Sequence, residues 1–409
     1  MKIENFRSEK NGNRPRVTAT VRWEDCDHSD QELYFETDTT FAEDLSCNPH
    51  AFLLAYTIPA LHHGEERVLL DAEICPELRD GLITAMSWIC HWYYRGNRKP
   101  LRIEAKTRSR VPTSHMRERT GFLFSGGVDS LATLRANRLN FPLEHPGSIK
   151  DGILAYGFDV RSEKAFEELF DSMSDIARET GITLIPVFSN LYDHYLHLDE
   201  NWRLWAFEYQ GAAVAGAAHL FTKRLNLVNM ASTFRIPSCL MPFGSHPLLD
   251  SNYGSYDMRI RHDGITLSRL DKTKLIAGWD LGLQRIRVCN SPEPGILNCG
   301  KCSKCVVTML AILAVGKLDQ TRAFPDDDLS EELISRMPVN DVTFPFLPEL
   351  IAPLAEKGRH DLARAVEYRI DKYRKDLNRD KNGWKNKIRK LDRQYLNSNL
   401  AMFKRLVFP

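Results

Sequence analysis

The stretch GFLFSGGVDSLATL, residues 121 to 134, changes its periodicity part-way along. An apolar run stops at Ser125, Gly126 and Gly127, and helical spacing resumes behind Asp129 and Ser130. A strand that feeds directly into a helix turns several backbone N–H groups toward one point at the positive end of the helix dipole, a geometry that binds phosphate. Gly126 and Gly127 let the main chain approach an anion where a Cβ would intrude, and Ser125 and Ser130 can add hydroxyl donors. Asp129 is the odd member, because a carboxylate beside a polyphosphate is repelled unless a cation mediates, and Mg2+ resolves that conflict. The plain alternative is the glycine-rich turn that any α/β protein needs. There is no G-x-x-x-x-G-K-[ST], so the loop is not of the Walker type.

Outward from this loop, short apolar runs alternate with helical segments. TGFLFSGG, GILAYGFDV, ITLIPVF, LNLVNMAS and QRIRVC read as strands, and VDSLATLRANRL, EKAFEELFDSMSDIARETG, WAFEYQGAAVAGAAHLFTK and DKTKLIAGWDL as helices. Such alternation predicts an α/β domain with a doubly wound parallel sheet over residues 116–325. Ahead of it, RVTATVRWED and QELYFETD alternate like half-exposed strands and LRDGLITAMSWICHWYY has helical spacing, predicting an N-terminal α+β domain over 1–115. CVVTMLAILAVG is too short to cross a bilayer and reads as a buried helix, and residues 326–409 read as a basic helical region.

Four of the nine cysteines, Cys289, Cys299, Cys302 and Cys305, fall in CNSPEPGILNCGKCSKC with the spacing C-x9-C-x2-C-x2-C. Four thiolates can close a tetrahedral Zn2+ site, with Gly300 easing the knuckle turn, and a closed site leaves no position for substrate, so the zinc is structural. An iron–sulfur cluster is the rival occupant. The other five cysteines, Cys239 included, are scattered.

At Ser125, Gly126, Gly127, Asp129 and Ser130 the chain resembles the PP-loop (adenine nucleotide alpha hydrolase-like) ATP pyrophosphatases, whose hallmark is S-G-G-x-D-S. The resemblance implies that these five residues hold ATP and its leaving pyrophosphate with Mg2+, that adenine lies against the end of the second strand at Tyr156, Gly157 and Phe158, and that Lys272 neutralises charge on the polyphosphate, with Arg269 as a neighbouring candidate. A surface lysine near a helix start is the plain alternative for Lys272. With the four-cysteine spacing added, residues 118 to 320 look like the QueC (7-cyano-7-deazaguanine synthase) family. That likeness implies a C–N ligase that adenylates the carboxylate of 7-carboxy-7-deazaguanine and passes it to an amine. The chain departs from the family in its extensions at both ends and in ASTFRIPSCLMPFGSHPLLDSNYGS, where QueC has a D-x-S-G-Y-P-D-C-R-like segment. Its length is closer to the QueC-like proteins of antiphage systems, the QatC and CBASS-associated proteins, in which the acceptor could be a protein amine. Within the loop from Arg235 to Asp257, His246 and Asp250 are the candidates for orienting a deazapurine, against loop capping as the plain alternative.

Composition is that of a globular protein, with 43% hydrophobic and 27% charged residues. The N-terminus MKIENFRSEKNGNRPR lacks an apolar leader and no run of residues suits a membrane span, so a cytoplasmic protein with no membrane partner is expected. Net charge is +1, yet from Glu356 onward 16 Lys and Arg stand against seven Asp and Glu. A solvated helical surface accounts for that tail, and an acidic partner or nucleic acid is the alternative. Two other functions therefore compete with the ligase: a PP-loop tRNA-modifying enzyme, and a non-catalytic nucleotide-binding scaffold of a defence complex.

Overall fold

The computed structural model describes residues 1–108, 118–158, 162–198, 203–238, 241–289 and 295–382. Cys239 and residues 383–409 of the basic tail lie outside the described residues. Ten strands are found among the described residues: β1 (Lys2–Asn11), β2 (Arg14–Arg22), β3 (Gln31–Thr37), β4 (Arg67–Ile74), β5 (Arg102–Thr107), β6 (Thr120–Leu123), β7 (Ile149–Tyr156), β8 (Thr183–Ser189), β9 (Leu227–Ala231) and β10 (Arg259–Asp263). All belong to one sheet of order β10-β9-β6-β7-β8-β3-β2-β1-β4-β5. Neighbours from β10 through β8 are parallel, those from β8 through β1 antiparallel, and β1-β4-β5 parallel again.

Four of the five parallel strands at this end of the sheet, β6 to β9, fall where the sequence pattern predicts. β8 is a nearly continuous apolar run, and both β7 and β8 are buried at consecutive positions, Asp151 to Leu154 and Leu184 to Val187, the mark of strands covered on both faces. Helices Val128–Asn140 and Glu163–Thr180 cross over from β6 to β7 and from β7 to β8, and Gln210–His219 precedes β9. Two expectations are corrected. QRIRVC is not a strand: Asp280–Arg285 is a helix, and residues 286–289 join no sheet. Leu283 is buried in that helix, and Gly282 lies against the Trp279 ring. The place of the fifth parallel strand is taken by β10, which pairs with β9 from Arg259↔Leu227 to Asp263↔Ala231.

The second correction concerns the N-terminal region, which is not a separate sheet. β3 pairs with β8 through Phe35↔Ser189, Glu36↔Phe188 and Thr37↔Val187. Two side chains fasten the seam: Thr37 Oγ1 donates to Pro186 O (2.6 Å) and Ser189 Oγ to Tyr34 O (2.8 Å). Residues Met1–Cys299 with Gln320–Pro325 accordingly form one compact unit. Helix Pro49–His63, buried from His50 to Leu61, lies in its core with Gln210–His219.

A second unit comprises Gly300–Asp319 and the chain from Asp326 onward. It is helical among the described residues, with Ser303–Val315, Glu331–Arg336, Ile351–Glu356 and His360–Asn382. The expected buried helix CVVTMLAILAVG is Ser303–Val315. No helix among the described residues is long and apolar enough to cross a membrane.

Candidate functional site

Taken alone, the parallel strands have the order β10-β9-β6-β7-β8, so the direction of winding reverses between β6 and β9. In open α/β sheets ligands settle beyond the carboxyl ends of the strands at such a reversal. SGGVDS leaves the carboxyl end of β6 and enters helix Val128–Asn140, so the loop lies at this point.

The two glycines of the loop answer different demands. Gly126 has φ +73°, and a Cβ there would meet Met173 Sδ at 2.9 Å, so the chain itself requires glycine. Gly127, the helix N-cap, has φ −80° and ψ 170°, which any residue adopts. A Cβ at Gly127 would meet nothing nearer than Ser125 Oγ at 3.4 Å. Nothing among the described residues demands glycine there, and a cradle that a Cβ would fill is what close approach of an anion needs. Gly127→Ala is therefore expected to keep its stability within about 1 kcal/mol and to weaken Mg-ATP binding at least about tenfold, measured by thermal unfolding and calorimetry.

Ser125 is exposed and its Oγ lies 3.2 Å from Ser130 Oγ, while Ser130 also donates to Gly127 O (3.2 Å). The backbone of the loop is braced from outside by Arg287, whose N–H donates to Gly126 O (2.9 Å). Asp129 receives two cations: Arg269 Nη1 at 2.6 Å and Lys272 Nζ at 2.9 Å. Burial pushes the Asp129 carboxyl up, but Arg269 and Lys272 outweigh it and hold the group below the ordinary aspartate range. Helix Arg269–Ala277 positions both cations and is fixed by a capping box between Ser268 and Asp271. Lys272 is not a surface lysine: its side chain is 2% exposed and also donates to Ser232 O at the end of β9. Two positive groups thus face one carboxylate at the SGGVDS turn, leaving a positive surplus.

The positions expected to lie against adenine divide. Gly157 has φ +82°, and a Cβ would stand 1.8 Å from Ser189 O, so this glycine serves the close approach of β7 and β8. Phe158 is 3% exposed, packed in the core with its ring edge-on to Trp205 at 6.3 Å. Buried in this way, it is a core side chain rather than an exposed platform for a base. Tyr156 is half-buried among Phe166 and Phe188.

His246 and Asp250 are buried braces. His246 Nδ1 accepts from Leu248 N (3.1 Å), capping the short helix Pro247–Asp250, and its ring meets Trp92 at 4.9 Å. Asp250 is fully buried and accepts from Ser245 Oγ (2.7 Å), His246 N (3.2 Å) and His262 Nδ1 (2.7 Å). The sequence reading missed His262. It stands near the carboxyl end of β10, and its buried Nε2 has no hydrogen-bond partner among the described residues. Asp263, the next residue, accepts at its carbonyl from Ser232 N (2.7 Å), the residue that also holds Lys272. The dyad and the Asp129 cluster therefore share one rim of the sheet.

Cys289, Cys299, Cys302 and Cys305 offer sulfurs that all lie within 4.8 Å of one another. A tetrahedral site with Zn–S bonds of about 2.3 Å sets sulfurs about 3.8 Å apart, so the four can hold a metal ion, and thiolates suit zinc. Gly300 turns the knuckle with φ +70°, and Cys302 caps helix Ser303–Val315. Cys289 is brought in by Asn298, another residue the sequence did not flag. This fully buried amide accepts from Val288 N (2.7 Å) and Cys289 N (3.2 Å) and donates to Ile286 O (2.9 Å) and Ala323 O (2.8 Å). No family model, curated protein or solved structure matches the chain.

Proposed function

We propose that the chain is an ATP-dependent ligase of the QueC type, within the PP-loop class. It adenylates a carboxylic acid, 7-carboxy-7-deazaguanine in the first instance, and passes the acyl group to an amine. A carboxylate oxygen attacks the α-phosphorus of ATP, the bond to the bridging oxygen breaks, and pyrophosphate leaves with the electron pair. The amine nitrogen then attacks the acyl carbon, AMP departs, and the nitrogen loses a proton. Ammonia as acceptor gives an amide; a protein amine, in an antiphage system, gives a conjugate.

The observation that carries this reading is Gly127, a glycine the fold does not need, at the winding reversal and beside a carboxylate held by two cations. In this reading Arg269 and Lys272, both paired with Asp129, meet the charge that grows on the leaving pyrophosphate, a stabilisation strongest as the bond breaks. Asp129 keeps 23% of its side-chain surface and is the carboxylate suited to hold Mg2+, which when bound supplies further positive charge to the polyphosphate.

The test is pyrophosphate release from ATP with and without added 7-carboxy-7-deazaguanine, with AMP followed by mass spectrometry. Release that depends on the acid supports a ligase. ATP binding without AMP under any acid and amine supplied leaves a nucleotide-binding scaffold and overturns the proposal.

A further inference from the structure

Where β3 pairs with β8, the first unit holds a recess of about 620 Å3 beside helix Glu163–Thr180. That is the size of a built binding site, about 300–1,000 Å3. Its inside is aromatic: Phe41 and Phe166 are buried, Phe170 and Phe188 half-buried, and Phe166 packs on Phe188 at 5.1 Å and on Phe170 at 6.3 Å. Its mouth is charged. Glu163, Glu167 and Asp171 come from the helix, Asp38 follows β3, and Arg14 opens β2, all of them exposed.

The acids of the helix divide into two sets. Those outside the recess are engaged: Asp175 with Arg178 (3.0 Å) and Arg285 (2.6 Å), Glu168 with the Gly295 N–H (3.3 Å), and Glu179 with the Trp279 indole N–H (2.6 Å). Glu163, Glu167 and Asp171, which line it, form no ion pair among the described residues. They stand four residues apart on one stripe of the helix, where like charges repel. Arg14 does not cancel them. Its guanidinium lies over the Phe188 ring, 3.7 Å from the centroid, with Nη1 3.8 Å from Glu36 Oε2.

Aromatic faces attract cations, and an unpaired carboxylate takes up N–H donors as well as charge. A guanidinium supplies both: it is flat, weakly hydrated, lies on a ring face and presents a fork of N–H groups, whereas an ammonium is a compact, strongly hydrated charge. Arg14 on Phe188 already shows the pose. Spacing adds the rest. Four residues of helix rise about 6 Å, and alternate residues of an extended chain, whose side chains share one face, are about 6.6 Å apart. A row of three carboxylates at that spacing matches three side chains of one extended segment.

We propose that the recess docks an extended segment of a partner protein with arginines at alternate positions, their planes on the phenylalanine rings and their N–H edges on Glu163, Glu167 and Asp171. The assignment goes beyond the ligase reading and does not depend on it. Phe166 and Phe188 also pack on Tyr156 at the end of β7, at 5.7 and 6.1 Å, so the docked segment lies one ring contact from the carboxyl end of a parallel strand.

The experiment is calorimetry on the full chain with the peptide acetyl-Gly-Arg-Val-Arg-Val-Arg-Gly-amide and its lysine and glutamate counterparts. The arginine peptide should bind at least about fivefold more tightly than the lysine peptide, and the glutamate peptide should not bind. Glu167→Gln removes an exposed, unpaired charge, so it should keep the unfolding midpoint and weaken the arginine peptide about 5- to 10-fold. Glu77→Gln, an exposed acid outside the recess, should leave binding within about twofold. Phe170→Leu should bring the arginine and lysine peptides within about twofold of each other. Equal binding of those two peptides by the wild type overturns the proposal without any variant, as does no binding of the arginine peptide at about 1 mM. Spermidine that binds as tightly as the arginine peptide would make the recess a polyamine site and overturn it. Self-association of the chain that Glu167→Gln abolishes would assign the recess to a second copy, and overturns it too.

Discussion

Asp129→Asn should reduce acid-dependent pyrophosphate release by about a thousandfold or more, while the protein stays folded. Two losses combine. The carboxylate that suits Mg2+ becomes an amide, and Arg269 and Lys272 lose the charge that now sets their geometry. Asp129→Ala should be equally inactive and less stable, by about 2–4 kcal/mol, because it leaves the ammonium of Lys272, whose side chain is 2% exposed, with only a carbonyl partner. Acid titration gives an independent check. Because the folded-state pKa of Asp129 is depressed, the stability it contributes is fully present above its unfolded value of about 3.9 and is lost as pH falls through the lower folded value. The wild type should therefore lose more stability than Asp129→Asn as the pH falls below about 4. Pyrophosphate release that survives in Asp129→Asn would falsify the assignment of this loop as the ATP site.

The parallel half of the sheet was legible because its strands are buried on both faces and separated by amphipathic helices, and both facts leave marks on local sequence. β10 left none. RIRHD carries three charged residues in five and sits at the sheet edge, where exposure removes the apolar signal. Its place was instead assigned to QRIRVC, whose alternation is real but serves another end. Residues 286–289 run extended because Asn298 holds them, not because a strand lies beside them. The joining of the N-terminal strands to the central sheet was equally hidden. It depends on β3 and β8, some 150 residues apart, and no local pattern encodes a pairing at that distance.

At the site, the residues found from sequence were those with a fixed spacing: the loop and the four cysteines. Lys272 gained weight from its burial. His246 and Asp250, expected to orient a substrate, instead cap a short helix and hold His262. His262 and Asn298 are single polar residues in stretches otherwise read as loop or spacer, and what distinguishes each is a partner remote in the chain.

Zinc content offers the second large effect. The wild type should carry about one zinc per chain by elemental analysis, and Cys302→Ser about a tenth of that or less. Cys47→Ser, outside the cluster, should keep its metal. Loss of a closed four-thiolate site removes several kcal/mol, which for a domain of this size lowers the unfolding midpoint by about 10 °C. The consequence should reach the SGGVDS loop through a short path. Cys289 ends the segment that Asn298 holds, and Arg287 in that segment donates to Gly126 O at 2.9 Å. With the metal gone, Cys289 is no longer tied to the knuckle, the Arg287 bond loosens, and the loop amides lose their alignment. Cys302→Ser is therefore expected to weaken Mg-ATP binding as well, by about 3- to 10-fold at a temperature where the variant is still folded. Stoichiometric zinc retained in Cys302→Ser, or iron with a visible absorption band in the wild type, would replace this account of the site. Unchanged ATP affinity in a zinc-free, folded variant would confine the metal's role to stability.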